Sequence, residues 1–223
     1  ILVFSPFSVY FASLYTEALY IMLSVVGFYY LRTSRELTAS ILGGLLAATR
    51  PVGIMFMVPV FINFIRHRKP LTKLILALAL SSAGLVCYML FLHYRAGDFL
   101  AFKHIQKGWG RTGWDTAHLG KQIWAMITDF HNSVLFLISV LLSLYMLVKK
   151  YYEEALFNLA CILPGVLTGT MMSEGRFCGT LFTFYFGLVV LAEKSWTIKI
   201  SVLMISLVLY MSYYVYWVGH ANF

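Results

Sequence analysis

Apolar runs without a single charge dominate the chain. They cover residues 18–31, 37–49, 52–65, 74–92, 133–148, 155–172, 177–192 and 200–218, separated by short polar connections. A helix needs about 20 apolar residues to cross the roughly 30 Å hydrocarbon core of a bilayer, within a range of about 17–25. Four runs reach or approach that length. The pattern therefore predicts an all-α fold: a polytopic transmembrane helical bundle of about eight membrane helices, one domain over residues 1–223. The stretch 37–65 reads two ways, as two short helices joined at Arg50-Pro51-Val52-Gly53 or as one long helix kinked by Pro51.

The basic residues decide between them. The tight connections 32–35, 66–73, 149–150 and 194–199 hold ten Lys and Arg. Cytoplasmic loops collect Lys and Arg, so all four are expected on one side, with an even number of passes between each pair. Two helices across 37–65 satisfy that count; one kinked helix does not. Arg50 and Pro51 then lie at the outer surface, together with residues 5–17, 95–132 and 173–178. Within 37–49, Ala39, Gly43 and Ala47 recur every fourth position beside Ser40, Gly44 and Ala48, a stripe of small residues suited to close helix packing. There is no internal repeat, which weighs against an inverted-repeat transporter.

Composition narrows the class. The chain is 61% hydrophobic and 12% charged, with a mean hydropathy of +0.80. Soluble domains carry about 25% charged residues, and disordered or nucleic-acid-binding chains have far fewer large apolar side chains. The net charge of +8 is what membrane topology alone requires, so no nucleic-acid partner is inferred from it. Three cysteines and six histidines lack metal-ligand spacing, and no P-loop, Gly-rich dinucleotide turn or G-x-S-x-G elbow is present. No metal or cofactor is expected. The opening Ile-Leu-Val-Phe, without an initiator Met or charged leader, reads as the start of a fragment whose N-terminal part is missing.

Charge bordering an apolar span is costly, which makes such residues functional candidates. Glu17, after Tyr15-Thr16, is either a helix-start acid favoured by the helix dipole or a carboxylate in an outward cleft. Arg50, in Ala48-Thr49-Arg50-Pro51-Val52-Gly53, either snorkels to headgroups or grips a phosphate. Lys103, Lys107 and Arg111 fit a basic helix lying in the interface, whereas Gln106, Trp109 and Arg111 together suit a site for a sugar face and a phosphate. Glu174 and Arg176, in Ser173-Glu174-Gly175-Arg176-Phe177, sit at another outer mouth, and Arg176 has the same two readings as Arg50.

These strings, from Pro6-Phe7-Ser8 to Tyr15-Thr16-Glu17, then Ala48 to Gly53, then Phe102…Gln106…Trp109-Gly110-Arg111, then Ser173…Arg176-Phe177, occur in an order that resembles the GPI mannosyltransferase 2 (PIG-V) family and its bacterial relatives. These are membrane glycosyltransferases of the GT-C type. The resemblance implies transfer of a hexose, typically mannose, from a polyprenyl- or dolichyl-phosphate donor to a glycolipid or glycan acceptor on the outer or luminal face. It implies that Arg50, Arg111 and Arg176 neutralise the lipid phosphate, and that Gln106 and Trp109 hold the sugar or acceptor. Glu17 is implied to position a hydroxyl or an arginine, or to serve as the base unless an acid upstream of Ile1 does. The expected location is a multi-pass position in a membrane, and the absence of N-x-[ST] acceptor sites together with the compact loops favours the bacterial plasma membrane over the endoplasmic reticulum. A lipid-linked saccharide flippase or other membrane transporter is the alternative reading, and a non-catalytic membrane subunit a third.

Overall fold

The computed structural model describes residues 2–3, 5–12, 15–110, 124, 127–167, 171 and 173–220. These form eleven α-helices and two short 3-10 segments. In chain order they are α1 (Ser8–Ala12), α2 (Glu17–Arg32), α3 (Glu36–Thr49), the 3-10 segment Pro51–Phe56, α4 (Met57–Arg66), α5 (Leu71–Ala96), α6 (Ala101–His104), the 3-10 segment Ile105–Trp109, α7 (Phe130–Val148), α8 (Tyr152–Val166), α9 (Glu174–Gly179), α10 (Phe182–Ala192) and α11 (Trp196–His220).

The helices run back and forth between two ends. Glu17 opens α2 and pairs with Arg50, just past α3, so those termini share one end. Arg32 closes α2 and pairs with Glu154 in the first turn of α8, while Arg66 closes α4 and pairs with Glu153 beside it. These groups mark the opposite end. Three of the four basic connections, 32–35, 66–73 and 149–150, thus meet at one end of the bundle, and Arg50 lies at the other.

Residues 37–65 form two helices, not one. Arg50 is extended, at φ −149° and ψ 134°, and Pro51 starts the 3-10 segment, where its missing N–H costs nothing. The chain then turns back onto α3. A Cβ at Gly53 would overlap the Leu46 carbonyl, so the reversal needs glycine there. The small-residue stripe of α3 packs as expected: Gly44 and Gly84 bring the backbones of α3 and α5 into contact. Phe56, from the 3-10 segment, meets Phe28 and Phe157 edge-on at 5.4 and 5.9 Å, and Phe182 meets Phe28 at 4.9 Å. This aromatic cluster ties the N-terminal hairpins to α8 and α10. A second tie is polar. Asn158 donates to Ser139 Oγ and Ser143 Oγ at 2.8 and 2.9 Å and accepts from Thr183 at 2.7 Å, all four buried.

The all-α bundle agrees with the sequence pattern, but about eight membrane helices does not. Among the described residues one helix, Leu71–Ala96, is long and apolar enough to cross a membrane, with mean hydropathy 2.3 over its best window and 17% of that window buried. The apolar helical segments Glu36–Thr49, Pro51–Arg66 and Phe182–Ala192 have 10–17 residues. At 1.5 Å per residue a helix of that length reaches about 15–26 Å, short of a bilayer core. The physical reason is that an uncharged run need not be one helix. The run 177–192 breaks at Thr180 and Leu181 into α9 and α10, and the run 155–172 leaves its helix after Val166, two residues past Pro164.

Candidate functional site

Three residues remote in sequence meet at the Arg50 end. Glu17 is fully buried, and its Oε1 accepts from Arg50 Nη1 at 3.2 Å and from Arg176 Nε at 2.9 Å. Arg176 Nη2 lies 2.7 Å from the same oxygen. Glu17 Oε2 has no hydrogen-bond partner among the described residues. The position of each group follows from its element. Glu17 starts α2, the extended Arg50 leaves α3 sideways, and Arg176 lies in the short helix α9.

Aromatic faces sheathe both cations. The Arg50 guanidinium lies 5.8 Å from the Tyr20 ring and 5.4 Å from Phe177, and that of Arg176 lies 5.1 Å from Tyr10 and 4.7 Å from Tyr15. Ring faces are electron-rich and attract cations, most strongly where water is excluded. Burial lowers the Arg50 pKa from its ordinary value and Glu17 acts the other way. A guanidinium starts so far above neutrality that Arg50 stays charged.

Arg50 also lines a cavity of about 790 Å³. One wall comes from Tyr20, Pro51 and Val52, another from Lys103, His104, Gln106 and Lys107, and a third from Pro164, Gly165, Phe177 and Leu181. No carboxylate lines it among the described residues. The wall that carries the two lysines is stiffened locally. Asp98 Oδ1 accepts from the Leu100 amide at 2.9 Å, and Asp98 Oδ2 lies 2.6 Å from His104 Nδ1. The His93 and Phe99 rings stack at 4.0 Å.

The structure thus brings Tyr15, Glu17, Arg50 and Arg176 into one cluster and sets Gln106 in the cavity that Arg50 lines. Glu174 is buried behind that wall, where a Cβ on Gly165 would overlap its carboxylate. Trp109 ends the second 3-10 segment, and Arg111 lies outside the described residues. Sequence reasoning gave Lys103 and Lys107 to a membrane-surface helix, yet both line the cavity. It missed Tyr20, although Tyr20 stands one helical turn after Glu17 and so shares its face. Among the described residues no group of three or more His, Cys, Asp and Glu is placed to hold a metal ion.

Comparison with protein-family models, with curated proteins and with solved structures finds no match for this chain. The family resemblance therefore rests on the four motifs alone.

Proposed function

We propose that the protein is a membrane-bound glycosyltransferase that moves a hexose, mannose by the motif resemblance, from a polyprenyl-phosphate donor to a glycolipid or glycan acceptor. The observation that carries this reading is the make-up of the larger cavity: Arg50, Lys103, His104 and Lys107 stand in a largely apolar and aromatic wall that has no carboxylate among its described residues. A phosphate ester on a hydrocarbon chain has the matching character, anionic at one point and apolar beyond it.

In the proposed reaction an acceptor hydroxyl attacks the anomeric carbon and passes its proton to the departing phosphate, which leaves as the monoprotonated monoester. The bond from that carbon to the phosphate oxygen breaks, and the phosphate keeps the electron pair. Fixed positive charge in a water-poor site stabilises such a leaving group most as its charge develops. Glu17 acts here as a positioning residue, because its Oε1 holds the guanidinium groups of Arg50 and Arg176. Gln106, with amide donor and acceptor on one side chain, suits a sugar hydroxyl. The apolar helix α5 anchors the chain in the membrane.

The buried polar groups Asn158, Ser139 and Ser143 at mid-helix, with Thr183 in the first turn of α10, bond one another and do not line the cavity. No observation therefore favours the transporter reading.

The test is transfer of labelled mannose from a polyprenyl-phosphate donor by the full-length protein in lipid vesicles. Arg50→Ala and Arg176→Ala are expected to lower turnover by about 100-fold or more, the scale on which removing a charge-stabilising group acts, with insertion unchanged. Farnesyl phosphate is expected to raise the unfolding temperature of the wild type and not of Arg50→Ala. Wild-type turnover by both variants, or equal protection of wild type and Arg50→Ala, overturns the assignment.

A further inference from the structure

A second cavity, of about 330 Å³, lies at the other end of the bundle. Arg32, Ser34, Arg66, His67 and Lys150 line it, with Glu153 and Glu154. We propose that it is a binding site for a phosphate group, either on an anionic lipid headgroup or free in solution, with Lys150 and Ser34 among its ligands. The inference goes beyond the transferase reading and does not depend on it.

Backbone conformation is the first observation. Helices α2, α4 and α7 all end at this pole in the same way, with a 6→1 hydrogen bond closing the last turn: Arg35 N to Tyr30 O at 2.9 Å, Lys69 N to Phe64 O at 3.0 Å, and Tyr151 N to Met146 O at 2.9 Å. The residue before each donor is left-handed: Ser34 at φ 58°, Arg68 at φ 49° and Lys150 at φ 66°. Glycine usually holds that position, because a side chain there is strained. Helix α5, which runs to the opposite end, does terminate on a left-handed glycine, Gly97 at φ 70°. At the basic pole the fold retains side chains where glycine would be easier. Two of the three, Ser34 and Lys150, line the cavity.

Charge is the second observation. The connections 32–36, 66–73, 149–154 and 193–199 carry ten Lys and Arg against four Glu, which is six of the chain's eight net positive charges. Glu154, Glu153 and Glu36 are taken up by Arg32, Arg66 and Lys69. Those pairs fix the two cavity arginines in place. Lys150 has no carboxylate partner among the described residues, and His67 Nδ1 is turned to the Asn63 carbonyl at 2.9 Å. The cavity therefore combines two guanidinium groups, each held by a glutamate that also lines it, with a lysine that adds the surplus positive charge for an anion. Phosphate oxygens match this donor set, as they accept from guanidinium, ammonium and hydroxyl alike. Helix α5 begins at Leu71, three residues past Arg68. A span beginning there sets the cavity at headgroup height, beside the anionic surface that polybasic segments recognise.

Strain makes the site testable without damaging the fold. Thermal unfolding of the full chain in detergent would be followed with dioctanoyl phosphatidylglycerol, dioctanoyl phosphatidylcholine or inorganic phosphate added. Phosphatidylglycerol is expected to raise the unfolding temperature by several degrees and phosphatidylcholine much less. An equal rise with inorganic phosphate identifies the phosphate alone as the ligand, and a larger rise with phosphatidylglycerol identifies the lipid. Without additive, Lys150→Gly and Ser34→Gly should unfold no lower than wild type, since glycine accepts φ > 0. With additive, Lys150→Gly should lose most of the rise, and Arg68→Gly, outside the cavity, should retain it. Equal stabilisation by both lipids, a full response in Lys150→Gly, or the same loss in Arg68→Gly overturns the site. None of these readouts involves transfer activity, so this site and the transferase reading fail or stand separately.

Discussion

Arg176 crosses 159 positions of sequence to set its Nε 2.9 Å from Glu17 Oε1. Arg50 donates to the same oxygen. One carboxylate, with no exposed surface of its own, thus fixes two guanidinium groups, of which that of Arg50 lines the larger cavity. Breaking a buried ion pair by removing one partner costs about 3–5 kcal/mol. Here the arginine side chains are 15% and 28% exposed, and solvent reduces that cost. Glu17→Gln is expected to destabilise the fold by about 2 kcal/mol, a fall of about 4–8 °C in unfolding temperature for a chain of this size. An unchanged melting curve would mean that the cluster is not what holds this end together.

Backbone contact between α3 and α5 gives a sharper structural test. A methyl group at Gly84 would run into the carbonyl oxygen of Gly44, and one at Gly44 into that of Leu80. Rigid backbone cannot yield as a flexible side chain can. Gly84→Ala should destabilise by about 1–3 kcal/mol or more, while Gly108→Ala, with nothing within 4 Å of the new methyl, should stay close to wild type. Chemical denaturation of the two variants reads the difference directly.

The Asn158 cluster predicts a polar penalty. Asn158→Leu leaves Thr183, Ser139 and Ser143 without the partner they share, at about 1–3 kcal/mol for a stranded buried group. Restoring an amide with Asn158→Gln should recover less than the full loss, because the longer side chain must repack. A stable Asn158→Leu variant would show that water meets these groups instead.

Asp98 supplies a pH-dependent contact beside the cavity. The hydrogen bond with His104, then that from the Leu100 amide, lowers its pKa below the ordinary 3.8. A depressed carboxylate stabilises the fold above its ordinary value and loses that contribution as pH falls through the lowered one. The Leu100 amide resonance should therefore titrate at a pH below 3.8, and Asp98→Asn should flatten the curve. A midpoint at or above 3.8 contradicts the contact.

Cys87 tests the single candidate span among the described residues. It is exposed on α5, whereas Cys161 and Cys178 are buried. If α5 crosses the bilayer, a membrane-impermeant maleimide should leave all three thiols unmodified in sealed vesicles, and denaturation should expose them. Rapid labelling of one thiol in intact vesicles would place α5 outside the lipid.

Much of this arrangement is written in local sequence. Pro51 and Gly53 specify the reversal after α3, and the Ala39-Gly43-Ala47 stripe, with Gly44 beside it, specifies the close face toward α5. Glu17, Arg50 and Arg176 stand out because charge beside apolar runs is rare. Helix length is not written the same way. Nothing in the uncharged run 177–192 announces that Thr180 and Leu181 leave the helix, since that break depends on packing around α9. Lys103 and Lys107 fit a basic helix lying in the membrane interface by sequence, and only the tertiary fold sets them in the wall of Arg50's cavity. The left-handed conformations of Ser34, Arg68 and Lys150 were equally hidden, as none is a residue that advertises a positive φ.

The glycine contact between α3 and α5 also shapes one side of the larger chamber. Those two helices touch through their main chains as one plate, which carries Tyr88 and leads into Arg50, and both residues line that chamber. A plate of that kind cannot part along its own seam. The short segment bearing Lys103 and Lys107 forms another wall of the same chamber.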